Sequence, residues 1–236
     1  MAFFWSLVVV DPLIILSTIV CGLLSILVTL FDKSGDAGIV VARLWARSLL
    51  FFVGVKVKVE GREKLQGRGC VICSNHLSYM DTPVVLSYIP ERFRFLAKRG
   101  LFEIPFLGTH LTQAGHIPVP REDPRAAVKA MTQAAEVIRT RGISMLVFPE
   151  GGRSRDGILQ PFKEGAAYIA IKAGVPIVPI ALIGTREVLP MGGKVFRRGT
   201  VIVRVSDPIP TEGLTLKDRE QVITTVRERI VGMLEG

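Results

Sequence analysis

The sequence predicts an α/β fold in which a largely parallel sheet is flanked by helices and preceded by an N-terminal apolar helical pair associated with a membrane. Two observations lead to this prediction: short apolar segments alternate with helical periodicity along most of the chain, and the beginning of the chain is strongly apolar. With 236 residues, the chain suffices for one domain with a full core and an appendage. We therefore expect membrane-associated helices in residues 1–54 and one folded domain in residues 55–236.

The membrane prediction depends on two apolar stretches. Residues 12–31 are almost wholly apolar and have the length needed to cross a hydrocarbon core. Residues 39–55 carry Arg43 and Arg47 four positions apart, which predicts an amphipathic helix with its arginines toward lipid headgroups. A buried helix with two snorkelling arginines is the alternative. The pattern is compatible both with one full span and with a helical hairpin inside a single leaflet.

The distribution of positive charge predicts where the folded domain lies. No lysine or arginine precedes the first apolar stretch, which therefore lacks the positively charged start of a removable signal peptide. Lys33, Arg43 and Arg47 all follow that stretch. Because positive charge is enriched on the cytoplasmic side, we expect the domain at the cytoplasmic face of the cell membrane.

Strands and helices alternate in the folded domain. Its first predicted strand is residues 55–59, where valine alternates with lysine as on a half-exposed strand. Short apolar runs predict the further strands, at residues 69–74, 144–148, 175–183 and 201–205. Helices are predicted at residues 82–88, from the Asp123-Pro124 start to the stop at Gly142, at residues 163–173, and after a capping-box pattern at residues 215–218.

The composition narrows the classes of partner. A net charge of +9 and a mean hydropathy of +0.41 favour anionic lipids or phosphorylated substrates at a membrane. Aromatic residues make up 7% of the chain, and no basic run is interleaved with them, which argues against nucleic acid. Cys70 and Cys73 point to opposite faces of a strand, and the three histidines lack metal-binding spacing. Neither a disulfide framework nor a metal site is therefore predicted.

A histidine and an aspartate are the candidates for catalysis. His76 stands five residues before Asp81, directly after a predicted buried strand, where catalytic groups tend to be displayed. Neutral imidazole accepts a proton from a hydroxyl near pH 7, and a carboxylate fixes the tautomer of that imidazole. The spacing alone equally fits an ordinary turn with Asp81 as the N-cap of the next helix.

A glycine-rich, basic stretch at residues 148–155 is the candidate for ligand binding. Gly151 and Gly152 let the backbone approach a ligand closely, and Arg153 offers a planar fork suited to phosphate. Two other cations are candidate phosphate ligands, Arg121 and Lys98. The alternative is a flexible turn with solvated charges.

Four blocks carry a family resemblance: Asn75-His76 through Asp81, Gly115 through Arg121, Phe148 through Ser154, and residues 175–179. In this order they resemble the glycerolipid acyltransferase family, specifically the 1-acyl-glycerol-3-phosphate acyltransferases of the bacterial membrane type. The similar region runs from about residue 55 to about residue 210. The chain departs from the pattern at Gly152, where the family commonly has threonine, and Pro118 and Pro120 stiffen the second block.

The resemblance implies transfer of a fatty acyl group to the free hydroxyl of 1-acyl-glycerol-3-phosphate (lysophosphatidic acid), giving phosphatidic acid in phospholipid biosynthesis. The donor would be an acyl thioester, acyl-CoA or acyl carrier protein, and neither a cofactor nor a metal is implied. His76 would be the general base and Asp81 its partner. Acceptor binding would fall to Lys98, Arg121, Glu150, Gly151, Gly152 and Arg153.

Three alternatives stay open. A related acyltransferase would use another lysophospholipid as acceptor. A serine-dependent lipid hydrolase would use Ser74 or Ser78 beside His76, although the sequence has no Gly-x-Ser-x-Gly elbow. A non-catalytic anionic-lipid-binding protein would use the arginines and the apolar helices only for docking.

Overall fold

The computed structural model describes residues 2–32, 34–65 and 69–236, apart from the side chains of Ala2 and Phe3. Lys33, used above to predict the cytoplasmic side, lies outside the described residues. The helices are α1 (Ala2–Trp5), α2 (Asp11–Thr29), α3 (Asp36–Val53), α4 (Asp81–Tyr88), α5 (Leu107–Gln113), α6 (Pro124–Arg141), α7 (Gly165–Ala173), α8 (Thr185–Val188) and α9 (Arg219–Glu235). The strands are β1 (Val55–Glu60), β2 (Val71–Ser74), β3 (Phe93–Lys98), β4 (Ile117–Val119), β5 (Ser144–Val147), β6 (Ile177–Ile183) and β7 (Gly199–Val205).

The strands form one sheet in the order β1-β7-β6-β2-β5-β3-β4. Every neighbouring pair is parallel except β6 and β7, which run antiparallel. The predicted fold class, a largely parallel sheet flanked by helices, is therefore confirmed. At the centre, Cys73 of β2 lies opposite Val147 of β5 and Pro179 of β6. Because β2, β5, β3 and β4 are mutually parallel, their carboxyl ends lie side by side at one edge.

Helices cover both faces of the sheet because the central strands β2, β5 and β6 are apolar on both faces. On β2, Ile72 packs toward α3 and α4, whereas Val71 and Cys73 pack toward α6, α7 and α9. We call these the α3/α4 face and the α6/α7/α9 face. Cys70 lies on the α3/α4 face, opposite to Cys73 as expected, and both are free thiols.

Five of the described helices and strands were not predicted from the sequence pattern: α1, β3, β4, α5 and α8. Strand β3 contains Arg94, a charged residue that is 1% exposed. Its guanidinium donates a hydrogen bond of 2.8 Å to Asp36 at the start of α3, a partner that local sequence does not reveal. Strand β4 contains Pro118 and lies at the edge of the sheet, where a missing backbone donor is tolerated.

Helix α2 lies along the folded domain. Together with a π-helical turn (Ser6–Val10) it forms the one helix, among the described residues, that is long and apolar enough to cross a membrane. At its start, Ser6 Oγ accepts a hydrogen bond of 3.2 Å from the amide of Phe196. Near its end, Ser25 Oγ lies 2.6 Å from His110 Nδ1. Both ends of the helix therefore contact the domain, while its opposite face stays exposed.

Helix α3 packs its apolar side against α4 and the sheet, with Ala46 fully buried. Arg43 donates hydrogen bonds to the carbonyl oxygens of Ile89 (2.9 Å), Pro90 (3.3 Å) and Glu91 (2.6 Å). The prediction that Arg43 faces lipid headgroups is wrong, because its guanidinium instead binds the carbonyl groups at the C-terminal end of α4. The alternative of a buried helix does not describe α3 either, because its Val40, Leu44 and Phe51 are more than half exposed.

Candidate active site

The candidate site lies at the edge where the parallel strands end. His76 follows β2, the 150–153 loop follows β5, Lys98 ends β3 and Arg121 follows β4. Four segments distant in sequence thus meet because the sheet is parallel, as is usual for sites on α/β folds.

Asn75 directs the chain out of the sheet at the end of β2. Its side-chain amide donates to the carbonyl of Leu182 (2.9 Å), and its side-chain oxygen accepts from the Leu182 amide (2.7 Å). These two side-chain bonds extend the hydrogen-bond ladder between β2 and β6 by one position. The backbone is thereby free to turn, which places His76 above the sheet edge.

His76 and Asp81 form the pair that their spacing predicts. His76 Nδ1 lies 2.8 Å from Asp81 Oδ2, and the same oxygen accepts the amides of Leu77 (2.8 Å) and Ser78 (2.9 Å). Asp81 is fully buried as the first residue of α4, and His76 is 8% exposed. One carboxylate oxygen therefore holds both the imidazole and the turn that carries it, so that Nε2 is the ring nitrogen left for chemistry.

The His76 ring is also fixed from the side and carries an altered pKa. It stacks on Phe148, with ring centroids 3.9 Å apart and planes inclined by 13°. Burial lowers the pKa of His76, the hydrogen bond to Asp81 opposes this effect, and Arg153 and Arg121 lower the pKa further. The ring is consequently neutral near pH 7, as a general base must be.

Glu150 holds the backbone of the site. Its Oε1 accepts the amide of His76 (2.5 Å), and its Oε2 accepts the amide of Gln160 (2.8 Å). The carbonyl of His76 in turn accepts the amide of Ser154 (2.9 Å). Glu150 is buried, and this burial raises its pKa to about 7. Both carboxylate oxygens already bind protein groups, so the position of Glu150 suits alignment of His76 better than acceptor binding.

The cations occupy the outer side of the site. Arg153 Nε donates to the carbonyl of Ser78 (3.1 Å), and its guanidinium lies 4.8 Å from the centre of the Tyr79 ring. Arg121 is exposed, and its Nη1 lies 4.0 Å from the point where a Cβ on Gly152 would stand. The two arginines thus flank the glycine loop beside His76.

The other basic groups differ in how well the sequence predicts them. Lys98 is exposed at the end of β3, at the same sheet edge as the pair. Lys163 was missed: its Nζ would lie 3.1 Å from a Cβ on Gly151, in an open depression of about 680 Å³ lined by the 150–156 and 160–163 segments. No motif marks Lys163 in the sequence, because only the folding of this loop brings it to the glycines.

Both serines near His76 have buried hydroxyls. Ser78 Oγ donates to the carbonyl of Leu189 (2.5 Å) and accepts the amide of Met80 (2.9 Å). Ser74 Oγ donates to the carbonyl of Asn75 (3.3 Å). Neither residue has accessible surface. The geometry therefore suits a structural role for these serines and does not favour a serine nucleophile.

An apolar cavity of about 370 Å³ is lined by residues of α2, α3, α4, β3 and α5. Its lining includes Thr18, Cys21, Trp45, Thr82, Phe95 and His116. Thr82 is the neighbour of Asp81 in sequence, and Phe95 stacks 6.4 Å from Phe148, the ring that contacts His76. The lining of the cavity thus comes near the His76–Asp81 pair through Thr82 and Phe95.

Fold and site together define an α/β protein with a buried histidine–aspartate pair between a cationic loop and an apolar cavity. Residues 56–183 match the family model described as Acyltransferase. The chloroplastic 1-acyl-sn-glycerol-3-phosphate acyltransferase BAT2 of Brassica napus is 40% identical over 72% of this chain and 49% of its own length. The 1-acyl-sn-glycerol-3-phosphate acyltransferase of Saccharomyces cerevisiae is 31% identical over 94% of this chain and 76% of its own. The chain belongs to the acyltransferase family.

A solved structure matches the whole fold. The 1-acyl-sn-glycerophosphate (LPA) acyltransferase PlsC from Thermotoga maritima superposes with a TM-score of 0.80 over 99% of this chain and 98% of its own, at 24% identity. At that identity the likeness concerns the fold. The chain spans about half the length of the Brassica napus and Arabidopsis thaliana relatives that it matches.

Proposed function

We propose that this protein is a 1-acyl-glycerol-3-phosphate O-acyltransferase. It transfers a fatty acyl group from acyl-CoA or acyl carrier protein to the free hydroxyl of lysophosphatidic acid and releases phosphatidic acid. The observation that carries the proposal is the 2.8 Å contact that joins His76 Nδ1 to Asp81 Oδ2. This pair lies beside a cationic loop and near an apolar cavity. The activity for which the relatives are named supports the choice of substrate.

In the proposed mechanism, His76 acts as general base and Asp81 positions it. Nε2 takes the proton of the acceptor hydroxyl, whose oxygen attacks the thioester carbonyl carbon and forms a tetrahedral intermediate. The intermediate collapses, the carbon–sulfur bond breaks, and His76 returns the proton to the leaving thiolate. Such base catalysis is worth about 10²–10⁴-fold in rate. Asp81 stabilises the imidazolium formed midway, through the bond it already makes to Nδ1.

The cations position the acceptor in this mechanism. Arg153 and Arg121 bind the phosphate at the outer side of the loop, with Lys98 at the same sheet edge. Gly151 and Gly152 leave room for the glycerol near His76. Holding the hydroxyl close to Nε2 turns an encounter between two molecules into a step within one complex. An acyl chain lies in the apolar cavity.

We place residues 1–54 at the cell membrane, with the acyltransferase domain of residues 55–236 on the cytoplasmic side. The contacts of both ends of α2 with the folded domain favour insertion into one leaflet over a complete span. The exposed face of α2 supplies the apolar surface for that insertion. The acceptor and the product then stay in the membrane during turnover.

A transfer assay tests the proposal. The protein is incubated with labelled acyl-CoA or acyl carrier protein and a panel of lysophospholipids, and the products are separated. We expect phosphatidic acid as the product and near-complete loss of transfer in His76→Ala. Full turnover in that variant would refute the assignment of the base. Capture of label on the protein by donor alone would instead indicate an acyl-enzyme, and vesicle binding without transfer would indicate a lipid-binding protein.

A further inference from the structure

An exposed apolar turn lies between β3 and α5, and the chemistry proposed above leaves it unexplained. A 3-10 helix (Arg99–Glu103) leads into the turn. Four large apolar side chains in this region are between 38% and 68% exposed: Leu101, Ile104, Phe106 and Leu107. Phe106 is the most exposed of the four. Large apolar side chains rarely form an exposed cluster on a soluble protein unless the cluster binds a partner.

The backbone of this turn is strained. Phe106 has φ +64° and ψ −51°, and the amide of Leu107 donates to the carbonyl of Pro105 at 2.7 Å, which makes a γ-turn centred on Phe106. Such a turn is rare for a residue with a side chain. Among the described residues, Phe106 is the only non-glycine residue with a positive φ. Backbone strain of this kind clusters at functional sites, and here it holds an aromatic ring outward.

Tight packing keeps the strained turn in place. Behind it, the point where a Cβ on Gly108 would stand is 2.0 Å from the carbonyl oxygen of Phe102. The Gly108 amide also donates to the carbonyl of Ile104 at 2.7 Å. The exposure of Phe106 is therefore a property of a rigid turn.

The turn is continuous with the exposed face of α2. Pro105, Phe106 and Leu107 line the apolar cavity together with Thr18 and Cys21 of α2. The outward side of that helix carries large exposed apolar residues: Ile15, Leu16, Ile19, Val20 and Leu23. The Ser25–His110 contact fastens α2 to α5, the helix that follows the turn. One apolar surface thus extends from α2 across the cavity mouth to Phe106.

Charge beside the turn fits an anionic surface. Lys98 and Arg99 are exposed immediately before the turn. Glu103 is the nearby carboxylate, 3.9 Å from Arg99. The surplus of positive charge next to exposed apolar groups is the combination that binds a bilayer with anionic headgroups.

We infer that the turn of residues 104–107 inserts into the boundary between the headgroups and the acyl chains of a bilayer, in addition to the contact made by the exposed face of α2. Insertion places the mouth of the apolar cavity against the lipid, so that an acyl chain enters it without crossing water. The role in lipid entry rests on the proposed function, whereas the insertion itself does not.

Fluorescence quenching tests the insertion without catalysis. Phe106→Trp is mixed with vesicles of phosphatidylglycerol and phosphatidylcholine whose acyl chains are brominated or unbrominated. The emission of the parent chain, which has Trp5 and Trp45, is subtracted. We expect the added indole to be quenched by brominated chains. Val128→Trp is the matched control, because Val128 is 44% exposed on α6, on the α6/α7/α9 face of the sheet. Its indole should escape quenching.

Two outcomes would overturn the inference. One is an indole at position 106 that brominated chains leave unquenched while Trp5 is quenched. The other is a blue-shifted emission that needs no lipid, since a second copy or another protein would then cover the turn. Ile104→Trp provides a second reading in the same turn should Phe106→Trp fail to fold.

Kinetics then test the role in lipid entry. Ile104→Ser should raise the KM for acceptor held in vesicles about tenfold, by loss of one inserted apolar side chain at a position outside the cavity lining. It should leave the KM for dispersed short-chain acceptor unchanged, and Val128→Ser should change neither. Equal KM changes for both acceptors in Ile104→Ser would contradict a role of the turn in lipid entry. Absence of transfer by the parent chain would refute the proposed function while the quenching result still stands.

Discussion

The His76–Asp81 pair, proposed to be catalytic, and the cations beside it are held in opposite ways. Asp81 Oδ2 accepts three hydrogen bonds, and the backbone of His76 is bound at both its amide and its carbonyl. Arg121, Lys98 and Lys163 are instead exposed. The groups proposed for proton transfer are thus positioned before substrate arrives, and most of those proposed for the phosphate are not.

This difference separates chemistry from recognition. A base must sit within a few tenths of an ångström of its working position, which buried hydrogen bonds achieve. A phosphate can be held by mobile cations, which lose side-chain entropy only on binding. Substitutions among the buried groups should therefore lower kcat, whereas substitutions among the cations should raise the acceptor KM.

Among the variants that test this separation of kcat from acceptor KM, Asp81→Asn should have the largest effect on activity. The amide retains an acceptor for the turn but removes the charge that stabilises the imidazolium, so we expect kcat to fall about a hundredfold or more. Steady-state kinetics measure the fall, with Asp123→Asn, at the N-cap of α6, as the control. A normal kcat with a raised acceptor KM would contradict the separation.

Glu150→Gln tests the alignment of the His76 backbone. One of the two backbone bonds is lost, so kcat should fall about tenfold. Burial gives Glu150 a folded-state pKa of about 7 against an ordinary value of 4.5, so between these values the folded chain binds a proton that the unfolded chain lacks. Stability contributed by this group is therefore present at low pH and lost as pH rises through this window.

The melting temperature provides the check on this linkage. Between about pH 5 and about pH 8, the Tm of the parent chain should fall relative to that of Glu150→Gln. Glu103→Gln, which alters an exposed carboxylate, should run parallel to the parent. Parallel curves for Glu150→Gln as well would show that Glu150 does not titrate in this window.

Arg153→Ala should change recognition more than chemistry. Loss of the guanidinium should raise the acceptor KM about tenfold and leave the donor KM unchanged. Arg153→Lys retains charge without the planar fork and should fall between. Arg139→Ala, on α6, is the control. An unchanged acceptor KM in Arg153→Ala would remove this residue from the phosphate site.

Gly152→Thr gives the smallest expected effect. A Cβ at this position meets nothing closer than Arg121 Nη1 at 4.0 Å, so the fold should accept threonine with a change in stability of about 0.5 kcal/mol or less. The new hydroxyl should shift acceptor preference within the lysophospholipid panel. Gly151→Ala is the contrasting neighbour, because Gly151 has φ +76° and Lys163 Nζ at 3.1 Å, and its Tm should fall.

The sequence predicted the parts of the site that depend on local pattern and sheet geometry. His76 and Arg153 follow strands whose apolar runs are recognisable in the sequence, and parallel strands bring such segments to one edge. Lys163 was not predictable, because its place beside Gly151 depends on how the 150–163 loop folds. Strand β3 was missed because the buried charge of Arg94 is compensated by Asp36, 58 positions away.

The N-terminal helices illustrate the same limit. Their length and apolar character could be predicted from the sequence, and the exposed apolar face of α2 agrees with that prediction. The hydrogen-bond partners of Arg43 could not be predicted, because the carbonyl groups at the end of α4 come near its guanidinium only in the folded chain. The strain at Phe106 is likewise invisible in sequence, since it arises from packing around Gly108.

The pH dependence of kcat/KM for phosphatidic acid formation tests the central claim most directly. Because burial lowers the pKa of His76, activity should decline only below its usual value of 6.5, as the base becomes protonated. Asp81 raises that pKa, so Asp81→Asn should move the decline to still lower pH, while Glu150→Gln should leave a decline in place. The residual activity of His76→Ala should lack the decline altogether. Retention of the same acidic limb in His76→Ala would contradict the assignment of His76 as the base.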